Sequence, residues 1–347
     1  MICRSFRVLL IGIVAAICLA VTSTSNAGPI HWVTVGDPGN TADSAPAGYG
    51  AVATSFQIMK YEFTNQQYTD FLNSVDAAGT NPYSVYNTNM GSNARGGIDF
   101  TDGAATGSKY GVKTNMADKP VNYVSWFDAA RVSNWLMNGA TSSSSTEIGA
   151  YSLIGGQISG TVPSVNPNAT YYVPLEDQWY KAAYYKGGGT NSGYWNFATQ
   201  SDVAPEAVTA DAAGDASAEN TGNFANYKNA ASWNGLSGNV TTVGTNGGPS
   251  AYGVFDQGGS VYEWNDLDGT SSLLRGARSG SFNSGDYTRV WSEWREAVDP
   301  TFEDFHVGFR LASTVSSGVP EIDPSSFGSV LALVFGAFGL LERRRSR

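Results

Sequence analysis

Between Ser250 and Leu311 the chain keeps returning to one theme: aromatic rings, glycines and a few charges, with little hydrophobic periodicity. Ala251-Tyr252-Gly253-Val254-Phe255-Asp256 leads into Gly259-Ser260-Val261-Tyr262-Glu263-Trp264. Arg278-Ser279-Gly280-Ser281-Phe282 and Gly308-Phe309-Arg310-Leu311 follow. Such a segment does not carry the repeat of a long helix or a regular strand. It predicts a loop-rich core pinned by Trp and Tyr, with the glycines allowing tight turns. Charged residues are only 14% of the chain, and 9 Trp, 18 Tyr and 16 Phe are present. That many rings exclude a disordered chain. The 347 residues suffice for one large domain or two ordinary ones.

The formal charge of -10 understates the acidity of the body, because Arg4, Arg7, Arg343, Arg344, Arg345 and Arg347 all sit in the terminal segments. An acidic body argues against nucleic acid, which needs a basic surface, and is compatible with divalent cations. The two cysteines, Cys3 and Cys18, fall in the leader. The mature chain therefore has no thiol for a disulfide, a thiolate metal site or a nucleophile. His31 and His306 are the only histidines, so a three-histidine zinc site cannot be built.

At the start, Arg4 and Arg7 precede an apolar run from Val8 to Ala20, and Ser25-Asn26-Ala27 ends on a small residue. This is the pattern of a secretory signal over 1–27, with cleavage expected after Ala27. At the other end Val319-Pro320-Glu321-Ile322-Asp323-Pro324 is followed by an apolar stretch from Phe327 to Leu341 and then Arg343-Arg344-Arg345. The stretch is short for a stable membrane span of about 20 residues. The arrangement resembles the PEP-CTERM sorting tail of bacteria, with Pro-Glu-Ile in place of Pro-Glu-Pro. That resemblance implies a transient membrane anchor, processing by an exosortase and delivery to the cell envelope or beyond. A plain C-terminal anchor is the alternative, and either places the body outside the cytoplasm.

The body reads in order. Residues 28–55 are expected to wrap the surface as an N-terminal segment. Phe56 to Glu62 reads as a strand, and Thr64 with Gln67 forms a capping box for a helix whose Tyr68, Phe71, Leu72 and Val75 share one face. A polar loop is expected from Asp76 to Lys119. Ser125 and Asp128 repeat the capping pattern before Ala129, Ala130, Val132, Trp135 and Leu136. Tyr172 to Trp179 leads into Lys181-Ala182-Ala183-Tyr184, and Asp202 to Glu219 is an Ala/Asp-rich insertion. Glu62 is expected to be a structural, hydrogen-bonded carboxylate, and Arg278, Arg295 and Arg310 to be partnered within the core.

The strings "YEFTNQQYTDFLN", "PVNYVSWFDAARVSNWL", "YGVFDQGGSVYEW", "RSGSF" and "GFRLA" together resemble the signatures of the formylglycine-generating enzyme (sulfatase-modifying factor) family. The likeness covers Phe56 to Ala312. It implies an α+β fold with little regular secondary structure, related to the C-type lectin fold, over residues 56–312. A linker with the sorting motif (313–326) and an anchor with a basic end (327–347) then follow. The resemblance also shows departures. Ser133 stands where cysteine is frequent, and Leu175, Gln178 and Tyr180 replace a capping threonine and two glutamates.

For chemistry, the resemblance implies two calcium sites. Asp256, Gly259, Val261 and Glu263 match the second, two side-chain oxygens with carbonyls between, a donor set that suits a hard cation. Asn226, Tyr227, Asn234 and Leu236 match the first more loosely, with Asn234 in place of an acid. Calcium is therefore the expected cofactor. The family's oxidase holds Cu(I), a soft ion that prefers thiolates, between two cysteines. Ser284 and Arg289 occupy those positions, Tyr262 stands where tryptophan is found, and Ser281 matches a serine of the site. Copper and formylglycine synthesis are not expected. The resulting expectation is an exported, envelope-associated domain, calcium-stabilised, that binds a peptide or glycan. A diverged formylglycine-generating oxidoreductase, an iron oxidase and a purely structural envelope component are the alternatives. A triad of Ser281 or Ser284 with His306 and Asp304 is also open at this point.

Overall fold

The computed structural model describes residues 29–46, 48–218 and 220–314. The expected signal over 1–27 and the anchor over 327–347 lie outside the described residues, as does the linker beyond Thr314. Among the described residues no helix is long and apolar enough to cross a membrane.

In chain order the elements are β1 (Trp32–Val35), β2 (Phe56–Met59), α1 (Asn65–Val75), a single turn α2 (Asn89–Ser92), and the hairpin β3 (Ile98–Phe100) and β4 (Tyr110–Val112). Then come α3 (Trp126–Met137), β5 (Tyr171–Tyr172), α4 (Glu176–Tyr184), β6 (Glu206–Ala207) and β7 (Phe224–Ala225). The last quarter holds β8 (Tyr262–Asn265), β9 (Arg275–Arg278), a 3₁₀ turn (Tyr287–Arg289), β10 (Glu296–Val298), β11 (Val307–Gly308) and β12 (Ala312–Ser313). Two four-stranded sheets result, in the orders β1-β2-β12-β5 and β10-β9-β8-β11. Strands this short leave most of the chain in turns, as the glycine-rich sequence requires.

Both capping boxes form. Gln67 Oε1 accepts the Thr64 N–H at 3.0 Å, and Asp128 Oδ2 accepts the Ser125 N–H at 2.8 Å. Tyr68, Phe71 and Leu72 of α1 and Ala129, Ala130, Val132 and Trp135 of α3 are buried in one core, with Val75 and Leu136 at its border. The α4 turn lacks a hydroxyl cap at Leu175; Gln178 Oε1 closes it by accepting the Leu175 N–H at 3.0 Å. Trp126, Trp135, Trp179 and Trp264 are fully buried.

Two expectations need correction. Residues 28–55 are not merely a surface wrap: β1 lies within them and pairs antiparallel with β2, Trp32 opposite Met59. The backbone amides of β1 are satisfied by the sheet, so the domain begins before Phe56. The polar loop from Asp76 to Lys119 contains the β3–β4 hairpin, its Tyr110 packed on Tyr86.

In the second sheet β8 lies between β9, antiparallel, and β11, parallel, with Glu263 opposite Arg278 and Val307 opposite Tyr262. Neighbouring side chains on a strand point to opposite faces. Glu263 therefore faces the interior, and Tyr262 faces the other way, toward His306 and Arg289.

Candidate functional site

The interior face of β8 carries a buried ionic centre. Arg310 is fully buried; its Nε and Nη2 donate to the two oxygens of Glu263 at 2.6 and 2.7 Å, and Nη2 also reaches the Phe255 carbonyl at 2.8 Å. Trp179 Nε1 donates to Glu263 Oε2 at 2.7 Å. Asp256 accepts the Gly244 N–H and the Asn246 amide, the latter at 3.0 Å. Glu62 completes the group, 3.9 Å from Arg310. Its two oxygens are buried against Asp256 and Arg310. Burial, then the charge of Asp256, pushes its pKa well above the usual carboxylate range.

This arrangement does not fit calcium as the sequence implied it. An ion at Asp256, Gly259, Val261 and Glu263 would share Glu263 with a buried guanidinium and an indole N–H, and Asp256 with two further donors. At the looser position Asn226 Oδ1 is buried and unpartnered, but Asn234 is exposed and turns its amide toward the Ala94 carbonyl at 3.4 Å. Tyr227 is buried and Leu236 half-buried, the two residues expected to offer backbone carbonyls. Among the described residues no group of three or more His, Cys, Asp or Glu is placed to hold a metal ion. The cation of this centre is Arg310. Excess chelator is accordingly expected to leave the thermal midpoint unchanged, because removing a ligand lowers stability only if the folded state binds it. A fall of several degrees on adding EDTA, restored by calcium, would show that an ion binds after all.

The opposite face of β8 carries an aromatic cluster in which Tyr262 is buried, while Phe302 and Arg289 reach the surface. Tyr262 packs edge-on against His306, ring centroids 5.6 Å apart, and His306 in turn contacts Phe305 and Phe302. Arg289 closes the other end. Its guanidinium lies 3.9 Å from the centre of the Trp294 ring and bonds Glu296 through Nη1 at 3.1 Å, with the Tyr262 hydroxyl at 3.5 Å. The 3₁₀ turn carrying Arg289 is held against the Arg278–Ser281 corner: a methyl group on Gly280 would meet the Arg289 carbonyl at 2.6 Å. Burial lowers the pKa of His306, so the imidazole is neutral near pH 7.

Ser284 and Arg289, which the resemblance sets at the copper cysteines, are both engaged by neighbouring groups. Ser284 is buried and its Oγ accepts the Ser281 N–H at 3.0 Å; Ser281 Oγ bonds Asn283 at 2.6 Å. Nor does a triad assemble. His306 Nδ1 is 3.7 Å from Asp304, beyond hydrogen-bond range, and has no hydrogen-bond partner among the described residues. Sequence reasoning missed Trp294 and Glu296 as neighbours of Arg289. It also missed Glu176, which accepts from Arg278 and, through two bonds of 2.8 Å, from Arg295. An acid in the "PLEDQW" helix start facing two singled-out arginines was the available signal. Two cavities, about 770 and 380 Å³, lie elsewhere, one lined by Asp211, Asp215 and Thr242 and the other by His31, Tyr61 and Asp118. Glu62 borders the smaller one, but its side chain is fully covered.

Residues 26–315 match the family described as the sulfatase-modifying factor enzyme 1-like domain. Among solved structures, the chain is similar to CarF (21% identity, TM-score 0.49, covering 83% of this chain and 99% of that one). It is also similar to variable protein 1 of Treponema denticola (17%, 0.45, 84% and 98%) and to PvdO of Pseudomonas aeruginosa (18%, 0.40, 83% and 92%). No curated protein matches.

Proposed function

The chain belongs to the sulfatase-modifying factor enzyme 1-like family, and from that premise we propose that it is a member that binds rather than oxidises. The observation that carries this reading is the pair Ser284 and Arg289. Cu(I) chemistry needs soft thiolate donors. No cysteine occurs after Cys18, and a hydroxyl and a guanidinium cannot replace thiolates. The side chains at both positions are already engaged, Ser284 inside a turn and Arg289 against Trp294 and Glu296.

What remains is an aromatic cluster with Phe302 and Arg289 at the surface, and we read this face as the one that takes a peptide or a glycan. A C-type-lectin-related scaffold accords with that role. The leader over 1–27 and the tail over 313–347 support export to the envelope, with an exosortase-type enzyme as the processing partner and the C-terminal segment as a transient anchor. The acidic body speaks against nucleic acid. The experiment is a peptide and glycan array probed with the purified protein and with a Phe302→Ala variant, Phe302 being the exposed ring of the cluster. Binding by the wild type that is lost in the variant supports the reading. Binding that the variant retains would place the ligand elsewhere, and no binding on either array would favour a purely structural envelope component.

A further inference from the structure

Five of the nine large apolar side chains that stand exposed among the described residues lie on two short segments: Ile148, Ile154 and Ile158 on one, Leu273 and Leu274 on the other. Backbone bonds stitch these segments together. The Val162 N–H donates to the Ser272 carbonyl at 2.9 Å, the Val165 N–H to the Gly269 carbonyl at 3.2 Å, and the Asn166 N–H to the Ala150 carbonyl at 2.8 Å. The same loop holds the last described residue. The Thr314 N–H donates to the Thr170 carbonyl at 3.1 Å, and its hydroxyl to the Ala169 carbonyl at 3.3 Å. These segments carry almost no charge. From Val132 to Leu175 the only acidic or basic residue is Glu147, which is bonded to buried Arg131 at 2.8 Å. Near Leu273 and Leu274, Asp268 accepts from Thr270, and Arg275 is buried against Asp266. In a chain of formal charge -10, a face of aliphatic tips with so little charge stands apart. Exposed apolar patches of this kind mark contacts with proteins or membranes.

We infer that this face is a lipid-contact surface, seated on the bilayer that holds the apolar stretch from Phe327 to Leu341. The inference rests on the reading of that stretch as a membrane anchor. Chain length supports the occupant. Twelve residues, 315–326, separate Thr314 from Phe327, a reach of at most about 40 Å. A bilayer holding the tail therefore stays close to the loops from which the tail leaves. Shape supports it as well. Ile154 is 86% exposed, Ile148 67% and Leu273 65%, so these side chains are protruding tips and not the walls of a groove. A docking helix needs a groove, whereas lipid accommodates tips, and the contact grows with the apolar area inserted. Charge selects the side of the body that faces down, because anionic headgroups repel the acidic regions and not this face. Five aliphatic tips would hold a free protein weakly. The tether raises their effective concentration to the order of millimolar, at which a weak contact orients the body.

The test uses the full-length chain, with Cys3→Ser and Cys18→Ser, reconstituted in phosphatidylcholine vesicles that contain a lipid with a nitroxide quencher near its headgroup. A fluorophore is attached at Ile154→Cys or, as the control, at Val203→Cys, an exposed aliphatic position on the Ala/Asp-rich insertion. The expected result is that both labelled proteins float with the vesicles and that the lipid quenches the label at 154 and not the label at 203. Adding Ile158→Asp and Leu273→Asp should abolish the quenching at 154 and leave flotation intact. Both side chains are exposed, so these variants should keep the parent's thermal midpoint, which separates lost lipid contact from lost folding. Flotation with no quenching at 154, or with equal quenching at both positions, overturns the inference and leaves the anchor reading standing. Failure to float overturns both. Shielding of the 154 label from iodide without lipid also overturns it. The occupant is then a second copy if the shielding depends on protein concentration, or the chain's own tail if the shielding is lost when the chain stops at Gly318.

Discussion

Replacing Arg310 with methionine should lower the unfolding free energy by about 3–5 kcal/mol, the range for removing one partner of a buried ion pair. The cost arises because the Glu263 carboxyl loses its guanidinium partner at a position with no exposure to water, with Trp179 as the remaining hydrogen-bond donor among the described residues. The carbonyls of Met59 and Phe255 also lose a donor, at 3.1 and 2.8 Å in the wild type. Adding Glu263→Met should return part of the loss, because two apolar side chains tolerate burial where a lone charge does not. Recovery should stop short of complete, since the Trp179 N–H then goes unsatisfied at a cost of roughly 1–3 kcal/mol. Denaturant unfolding of the two single variants and the double variant measures this as a coupling energy. Additive losses would show that the pair does not interact as the distances say.

The second large effect is expected at Gly259. Its φ is +98°, which L side chains rarely adopt, and a Cβ there would lie 2.3 Å from the Asn226 carbonyl oxygen. Neither constraint can relax cheaply. The Gly259 N–H is bonded to the Ser279 carbonyl at 2.7 Å, and Asn226 is bridged to Gly259 along the backbone. Gly259→Ala should therefore cost on the order of 3 kcal/mol, combining backbone strain with overpacking. Gly285→Ala is the control: its φ lies outside the left-handed region and nothing lies within 4 Å of the added methyl group, so its effect should stay within about 0.5 kcal/mol. Similar losses at both glycines would mean that the close approach to Asn226 does not constrain the fold.

These two positions show how much the sequence made legible. The strings around Gly259 and Arg310 announced a fixed corner and an internal arginine, and the capping pairs Thr64–Gln67 and Ser125–Asp128 announced two helix starts. Such signals are local: the partner sits three residues away or in the same turn. What the sequence did not show depends on contacts between distant segments. Glu62 lies nearly 200 residues from Asp256 in the chain yet influences its protonation, and nothing near Glu62 in sequence marks that. The surroundings of Asp256 and Glu263, the residues expected to hold calcium, were hidden for the same reason. Both residues are acids at the expected spacing, but donors from Trp179, Gly244, Asn246 and Arg310, elsewhere in the chain, have taken their oxygens. Trp294 and Glu296 were overlooked because their role depends on how the 3₁₀ turn at Arg289 folds back on β10. By contrast, the missing thiols could be read at once, because an absent residue type needs no three-dimensional context.

The claim at the centre of this account is that the fold persists while the oxidase chemistry does not. It is tested most directly by incubating the purified protein with Cu(I), oxygen and a cysteine-containing sulfatase peptide, and following the peptide mass for conversion of cysteine to formylglycine. The account predicts an unchanged peptide, with or without copper. Aldehyde formed in proportion to the protein added, and abolished in a Ser284→Ala or Arg289→Gln variant, would contradict it.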